Sequence, residues 1–253
     1  MKHATFTVIL LLFAGLNQPG YSLVFTDDFN DGALEDWTPK QGDWTNPGDH
    51  LLSSLDNYGV IWRDGSFGYD QYLAVDAYFD DAGDGEHSKT AHLMLRGGES
   101  SWGRNRYYDH AYRANVQRNG LRIFNNIAPF NQYALSDTIP LDLEKSSWVR
   151  LAFAVTGTGP DTRLRFWVDN QLKFDGFDTS GSPHDDGGYV ALGSSNHINR
   201  RIKYDNAYGR VDEAAIPESR NVAVFALVAL GAYVGYARSR RRSNSTVVSS
   251  ASL

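Results

Sequence analysis

The dipeptide Asn119-Gly120 stands between two alternating segments, residues 112–118 and 121–125, and constrains this chain more than any other local feature. A two-residue type I′ hairpin turn needs positive φ at both central positions, which Asn and Gly adopt at least cost. Two adjacent antiparallel strands are therefore expected. Asp169-Asn170, between residues 164–168 and 171–174, predicts a second hairpin. Residues 72–79, 92–96 and 148–155 alternate with the period of a strand that buries one face. No amphipathic helix of more than a few turns is legible between residues 23 and 215. The acids agree, with 24 Asp against 6 Glu, because Asp prefers turns and caps while helices favour Glu. The expected fold is all-β, a two-sheet antiparallel sandwich.

Two flanking segments stand outside that fold. Residues 1–22 open with Lys2, run apolar from Phe6 to Leu16 and end in Gly20-Tyr21-Ser22. This is the pattern of a secretory signal helix with a small-residue cleavage site. Residues 222–237 carry no charge and are followed by Arg238 and Arg240-Arg241-Arg242. As a helix they span about 24 Å against a hydrocarbon core of about 30 Å, a short transmembrane anchor. Its basic end belongs in the cytoplasm, which leaves residues 23–215 outside, as the signal segment also requires. Ile216-Pro217-Glu218-Ser219, the apolar run and Arg240, Arg241 and Arg242 resemble the PEP-CTERM sorting signal of Gram-negative bacteria. That resemblance implies an exosortase-type partner and delivery from the inner membrane to the cell surface or an exopolysaccharide matrix. The expected organisation is a signal peptide (1–22), a β-sandwich domain (23–215), a sorting and transmembrane segment (216–242) and a short cytoplasmic tail (243–253).

The exported domain keeps 18 basic and 29 acidic residues, a balance of −11. Such a field repels phosphate backbones, so nucleic acid is excluded as a partner. Neutral glycans or divalent cations suit it better, and calcium is the natural cation for clustered Asp. The chain has no Cys, which closes disulfide, thiolate-metal and Cys-nucleophile chemistry.

A longer resemblance spans about 190 residues. The pieces are Phe25-Thr26-Asp27-Asp28-Phe29-Asn30-Asp31-Gly32 leading to Trp37 and Trp44; Leu93-Met94-Leu95-Arg96; Trp148-Val149-Arg150-Leu151; Phe166-Trp167-Val168-Asp169-Asn170; Gly187-Gly188-Tyr189-Val190; and Tyr204-Asp205-Asn206. In this order they resemble the concanavalin A-like lectin/glucanase (laminin-G-like) superfamily. The resemblance implies a jelly roll whose first and last strands pair, with ligands on the concave face or its rim loops. It also implies a structural calcium where the terminal strands meet, with Asp205 as carboxylate ligand and backbone carbonyls near Asp28 assisting.

The densest polar-aromatic stretch is residues 102–112, within which Trp102, Arg104, Arg106, Tyr107 and Tyr108 form a candidate glycan platform. Aromatic faces stack on sugar CH surfaces, and guanidinium forks donate to hydroxyls or carboxylates. By period 2, His92 and Arg96 share the face opposite Leu93 and Leu95 and extend the platform over a sheet. Charge balancing by these arginines in an acidic domain is the alternative reading. Trp37, Trp44, Trp148 and Trp167 fall in strand-like positions and are expected in the core.

A glucanase of this superfamily carries Glu-x-Asp-x-x-Glu on one strand, and no two of the six Glu lie within such a motif. The run Asp80–Glu86 fails as an EF-hand, with Ala82 and Ala91 at ligand positions. The function expected is a surface-anchored carbohydrate-binding protein. A non-binding matrix spacer, and a glycoside hydrolase or polysaccharide lyase with an unfamiliar site, stand as alternatives.

Overall fold

A computed structural model describes residues 23–53, 58–65, 67–79, 90–98, 110–128, 131–144, 146–195 and 202–210. The chain divides into two compact units, Met1–Glu213 and Ala214–Leu253, and every described residue belongs to the first. The signal segment, the sorting and transmembrane segment and the tail lie outside the described residues. Among the described residues no helix is long and apolar enough to cross a membrane.

The strands are β1 (Leu23–Asp27), β2 (Trp37–Gln41), β3 (Leu51–Leu52), β4 (Tyr58–Arg63), β5 (Gln71–Phe79), β6 (Thr90–Gly97), β7 (Ala111–Gln117) and β8 (Gly120–Ala128). They continue as β9 (Asn131–Ala134), β10 (Ile139–Pro140), β11 (Trp148–Thr156), β12 (Arg163–Val168), β13 (Gln171–Phe177), β14 (Tyr189–Ser195) and β15 (Ile202–Arg210). Among the described residues one 3-10 turn, Gly159–Asp161, interrupts them. A seven-stranded sheet runs β1-β15-β5-β11-β12-β13, with β3 on β15. An eight-stranded sheet runs β10-β8-β7-β6-β14-β4-β2, with β9 on β8. Every pairing is antiparallel, and β1 pairs with β15, as expected for the first and last strands.

Alternation decides which side chains meet between the sheets. Leu73, Val75, Ala77 and Phe79 of β5, Val149, Leu151, Phe153 and Val155 of β11, and Leu164, Phe166 and Val168 of β12 point inward. Ala91, Leu93 and Leu95 of β6 and Tyr112, Ala114 and Val116 of β7 face them from the other sheet. Each large side chain removed from water there contributes about 1.5–3 kcal/mol, so period 2 fixes the register of both sheets.

The two expected hairpins form by different turns. Val168 pairs with Gln171, and Asp169 and Asn170 take φ of 47° and 63°, the left-handed pair a type I′ turn requires. At the other hairpin Gln117 pairs with Gly120, so Arg118 and Asn119 make the turn and Gly120 begins β8, one residue earlier than the Asn-Gly reading places it. Gly120 is needed for closeness: a Cβ there would stand 2.9 Å from Thr138 Cγ2, below any normal contact.

The core expectation holds for Trp37 and Trp44, which are buried. It fails for Trp148 and Trp167. On β11 and β12 their neighbours Val149 and Phe166 face inward, so both tryptophans fall on the outward parity, and Trp148 is 45% exposed.

Candidate functional site: a polar cleft beside the terminal strands

Of the expected platform, Trp102, Arg104, Arg106, Tyr107 and Tyr108 lie outside the described residues. His92 and Arg96 are described, and they do not share a face. The β6–β14 register shifts between Tyr189 and Ala191, and Arg96 takes φ of 54°. This bulge adds a residue, which bends the strand and reverses the parity beyond it. Arg96 therefore turns toward the end of the sandwich, where its Nε donates to the Tyr69 carbonyl at 2.7 Å, Nη1 to His184 at 2.7 Å and Nη2 to Gly157 at 2.5 Å. It ties three loops together and is 2% exposed. It is a structural clamp.

His92 keeps the outward parity of the eight-stranded sheet and is buried there. Its Nδ1 lies 2.6 Å from Asn115 Oδ1. Burial, aided by the Arg113 charge and opposed by the Asn115 hydrogen bond, pushes its pKa down to about 3. The ring is neutral at physiological pH. Around it, Val60, Trp62, Met94, Ala111 and Ala191 form a second buried cluster with Tyr189 packed against it. Trp62 stacks on Tyr189 at 4.2 Å and 18° between ring planes, and Lys40 Nζ sits 3.6 Å from the Trp62 ring centroid. Strand order places Tyr189 and Lys40 on opposite sides of β4. The Trp62 and Tyr189 rings already serve partners within the protein.

The expected metal pair, Asp28 and Asp205, lies where β1 meets β15. Burial raises the Asp205 pKa, and the Asp76 and Asp28 charges raise it further, so the structure brings these carboxylates within electrostatic reach. Their oxygens have protein partners: Asp28 Oδ1 accepts from the Asn30 N–H at 3.2 Å and Asp205 Oδ1 from the Asn206 N–H at 2.7 Å. Those bonds to Asn30 hold the Asp28 carboxyl below the usual range. Among the described residues no three His, Asp or Glu side chains converge as a metal set. Calcium favours six to eight oxygen ligands, which this pair alone does not supply.

The junction instead opens into a cleft of about 660 Å³. Thr26 and Tyr208 line it from the paired terminal strands, Asp28, Asp31, Glu35 and Asp36 from the following loop, Arg63 from β4, and Arg150 from β11. Asn206 completes it at a bulge in β15, with φ of 50°. Such a left-handed residue is tolerated best as Asn, Asp or Gly. One network fixes this wall. Asp76 accepts from Arg150 Nη1 at 3.1 Å and from Asn206 Nδ2 at 2.9 Å, while Arg150 Nη1 also donates to the Asn206 carbonyl at 2.7 Å. Arg150 keeps further N–H donors and Asn206 keeps its Oδ1 acceptor. Also in the lining, Asp36 Oδ2 accepts from Arg63 Nη2 at 2.7 Å. Fixed donors and acceptors thus line a space large enough for a sugar.

Sequence reasoning reached Asp28 and Asp205 by resemblance and missed Arg63, Asp76, Arg150, Asn206 and Tyr208 as site residues. The one local signal was Asn206, because an Asn inside an apolar-alternating strand marks a bulge or a left-handed turn.

Comparison with known proteins identifies the fold. No protein-family model matches the chain, and no curated protein matches it either. Among solved structures it is similar to the carbohydrate-binding module CBM66 from Bacillus subtilis, at 17% identity and a TM-score of 0.52 over 69% of this chain and 95% of that one. It is similar to the potassium-bound form of the Emp46p carbohydrate recognition domain, at 11% identity and a TM-score of 0.54 over 77% and 100%. The endo-beta-1,4-glucuronan lyase of the fungus Trichoderma reesei matches at 13% identity and a TM-score of 0.51 over 76% and 96%. The described domain therefore has the lectin-type β-sandwich fold shared by carbohydrate-binding domains. At these identities the likeness speaks to fold alone.

Proposed function

We propose that residues 23–215 are a carbohydrate-binding domain that takes a hydroxyl-rich glycan into the cleft beside β1. The observation that carries this reading is the Arg150–Asp76–Asn206 network. It holds a guanidinium and an amide rigidly at the wall of a cleft whose lining also bears carboxylates. Vicinal hydroxyls both donate and accept, so they satisfy a mixed wall that a purely acidic or basic pocket would not. Preorganisation matters because groups already held in place lose little freedom on binding. The solved neighbours that are carbohydrate-binding or carbohydrate-recognition domains support the class of ligand.

The proposal includes the setting read from the sequence. The domain is exported by the signal segment and retained by the short anchor. An exosortase-type enzyme then recognises Pro217 and Glu218 ahead of Arg240, Arg241 and Arg242 and sorts it to the cell surface or an extracellular polysaccharide matrix. Calcium near Asp28 and Asp205 is proposed only as a stabiliser, to be checked by the melting midpoint with and without chelator.

The test is affinity electrophoresis of the protein through gels carrying neutral and acidic polysaccharides. Retention by at least one polysaccharide is expected, weakened about tenfold in an Asp28→Ala, Asn206→Gly variant that still unfolds cooperatively, Gly being the residue that keeps the left-handed backbone at position 206, as loss of two fixed hydrogen-bonding groups predicts. Retention untouched by that variant removes the cleft from the reading. No retention on any polysaccharide, with the fold intact, favours a matrix spacer.

A further inference from the structure

On the reading that glycan occupies this cleft, we infer that its ligand is an extended stretch of polysaccharide, bound along its length across a ledge made by Trp148, Tyr78 and Lys203, rather than a chain end or a single sugar. Lys203 stands directly opposite Tyr78 in the β15–β5 register, and Tyr78 directly opposite Trp148 in the β5–β11 register. The three side chains form one row across the outward face of the seven-stranded sheet. The Tyr78 and Trp148 rings lie 5.4 Å apart, and Lys203 Nζ is 5.4 Å from the Tyr78 centroid. Among the described tryptophans, Trp37, Trp44 and Trp62 are buried, Trp167 is half-buried and only Trp148 is substantially open to solvent.

The ledge is continuous with the cleft. Two residues along the same strands, Asp76 and Arg150 face each other in register, and Arg150 lines the cleft. From Trp148 to Tyr208 the face runs two strands across and four residues along, a diagonal of roughly 17 Å, or about three linked sugar rings. A ligand confined to the cleft would leave Trp148 wet, while a chain leaving the cleft along this diagonal passes over its ring. Continuity with the cleft is what commits the ledge to a glycan. Asp76, Arg150 and Lys203 flank the rings with polar groups that sugar hydroxyls can pair with. Ring CH surfaces stack on the aromatic pair, and hydroxyls take the charged rim.

Ladders of β-1,4-glucan, β-1,4-mannan and β-1,4-glucuronan oligosaccharides, from one ring to six, test this on the whole protein. Affinity should climb with length to about three rings and then level, and only the longer rungs should shield Trp148 from acrylamide quenching. Trp148→Ala should reduce the affinity of long rungs about tenfold and leave that of one-ring ligands unchanged. Trp148→Phe, which keeps a stacking face, should restore part of the loss and controls for folding. Length dependence that survives Trp148→Ala overturns the ledge and leaves the cleft standing. Binding by no rung overturns both.

Discussion

The two outward faces of the sandwich carry similar side chains in opposite states. On the eight-stranded sheet, Trp62 is sandwiched by Tyr189 and Lys40, and His92 is buried against Asn115. On the seven-stranded sheet, Trp148 is 45% exposed beside Tyr78, and Arg150 is pinned by Asp76 at the edge of an open cleft. A buried ring covered on both faces by protein partners, as Trp62 is, has no face left for a sugar. Composition therefore does not locate a binding surface; what matters is which rings and forks remain unspent after packing.

Truncating one tryptophan on each face breaks the comparison most directly. Trp62→Ala should cost about 3–5 kcal/mol, because a large buried ring leaves a cavity. Trp148→Ala should cost less, about 1–2 kcal/mol, since nearly half of the residue stays in solvent. Denaturant midpoints with unchanged slopes read both. Equal losses would show that Trp148 is packed after all and would remove the ledge from consideration.

Acid should act on the eight-stranded face next. The His92 pKa falls from its ordinary value near 6.5 to about 3, with burial the largest cause. The unfolded chain then binds a proton that the folded chain refuses, so the stabilisation is complete above pH 6.5 and is lost as pH falls toward 3. The slope attributable to His92 is at most about 1.4 kcal/mol per pH unit. His184, lowered to about 4 chiefly by burial, adds to it in the same direction. A His92→Gln variant that still folds should show a shallower fall in midpoint between pH 6.5 and 4.5. An unchanged slope would mean that His92 is protonated in the native protein.

How far the sequence anticipates these faces depends on the range of each signal. Local signals served the strands well, since alternation placed the inward residues of β5 and β11 and Asp169-Asn170 supplied its left-handed turn. They slipped by one residue at Asn119-Gly120, where the close approach of Thr138 to Gly120, a contact 18 residues away, explains why a glycine stands there. Parity carried His92 outward but failed at Arg96, because a bulge that reverses parity leaves no mark in an apolar run. Trp148 and Trp167 were misjudged for a different reason. The alternation that buries Val149 and Phe166 already turns both tryptophans outward, and that local parity overrides the general preference of Trp for burial. The cleft was illegible for a third reason: Thr26, Asn206 and Arg150 come together only through pairings between strands far apart in sequence, and Arg63 joins them from the other sheet. Only the resemblance pointed to that junction, and it pointed there for an ion.

The smallest expected effect concerns the acids around the cleft, which have no counterpart among the described strand residues of the other outward face. Asp76 is shared by Arg150 and Asn206, and its charge is one of the causes that raise the Asp205 pKa, after burial. Asp76→Asn keeps the shape of the side chain and removes that charge. With Arg150 and Asp76 each about a quarter to a third exposed, the lost ion pair should cost no more than about 1 kcal/mol. The Asp205 carboxyl should move back toward the usual carboxylate range without reaching it, since burial remains. A carboxyl-carbon NMR titration of Asp205 reads the shift. Asn at position 76 still offers one acceptor but no longer anchors the guanidinium by charge, so glycan retention should weaken more than stability does. A variant with normal retention and an unmoved Asp205 titration would mean that the Arg150–Asp76–Asn206 wall is not what organises the cleft, and would turn attention to the Asp36–Arg63 side.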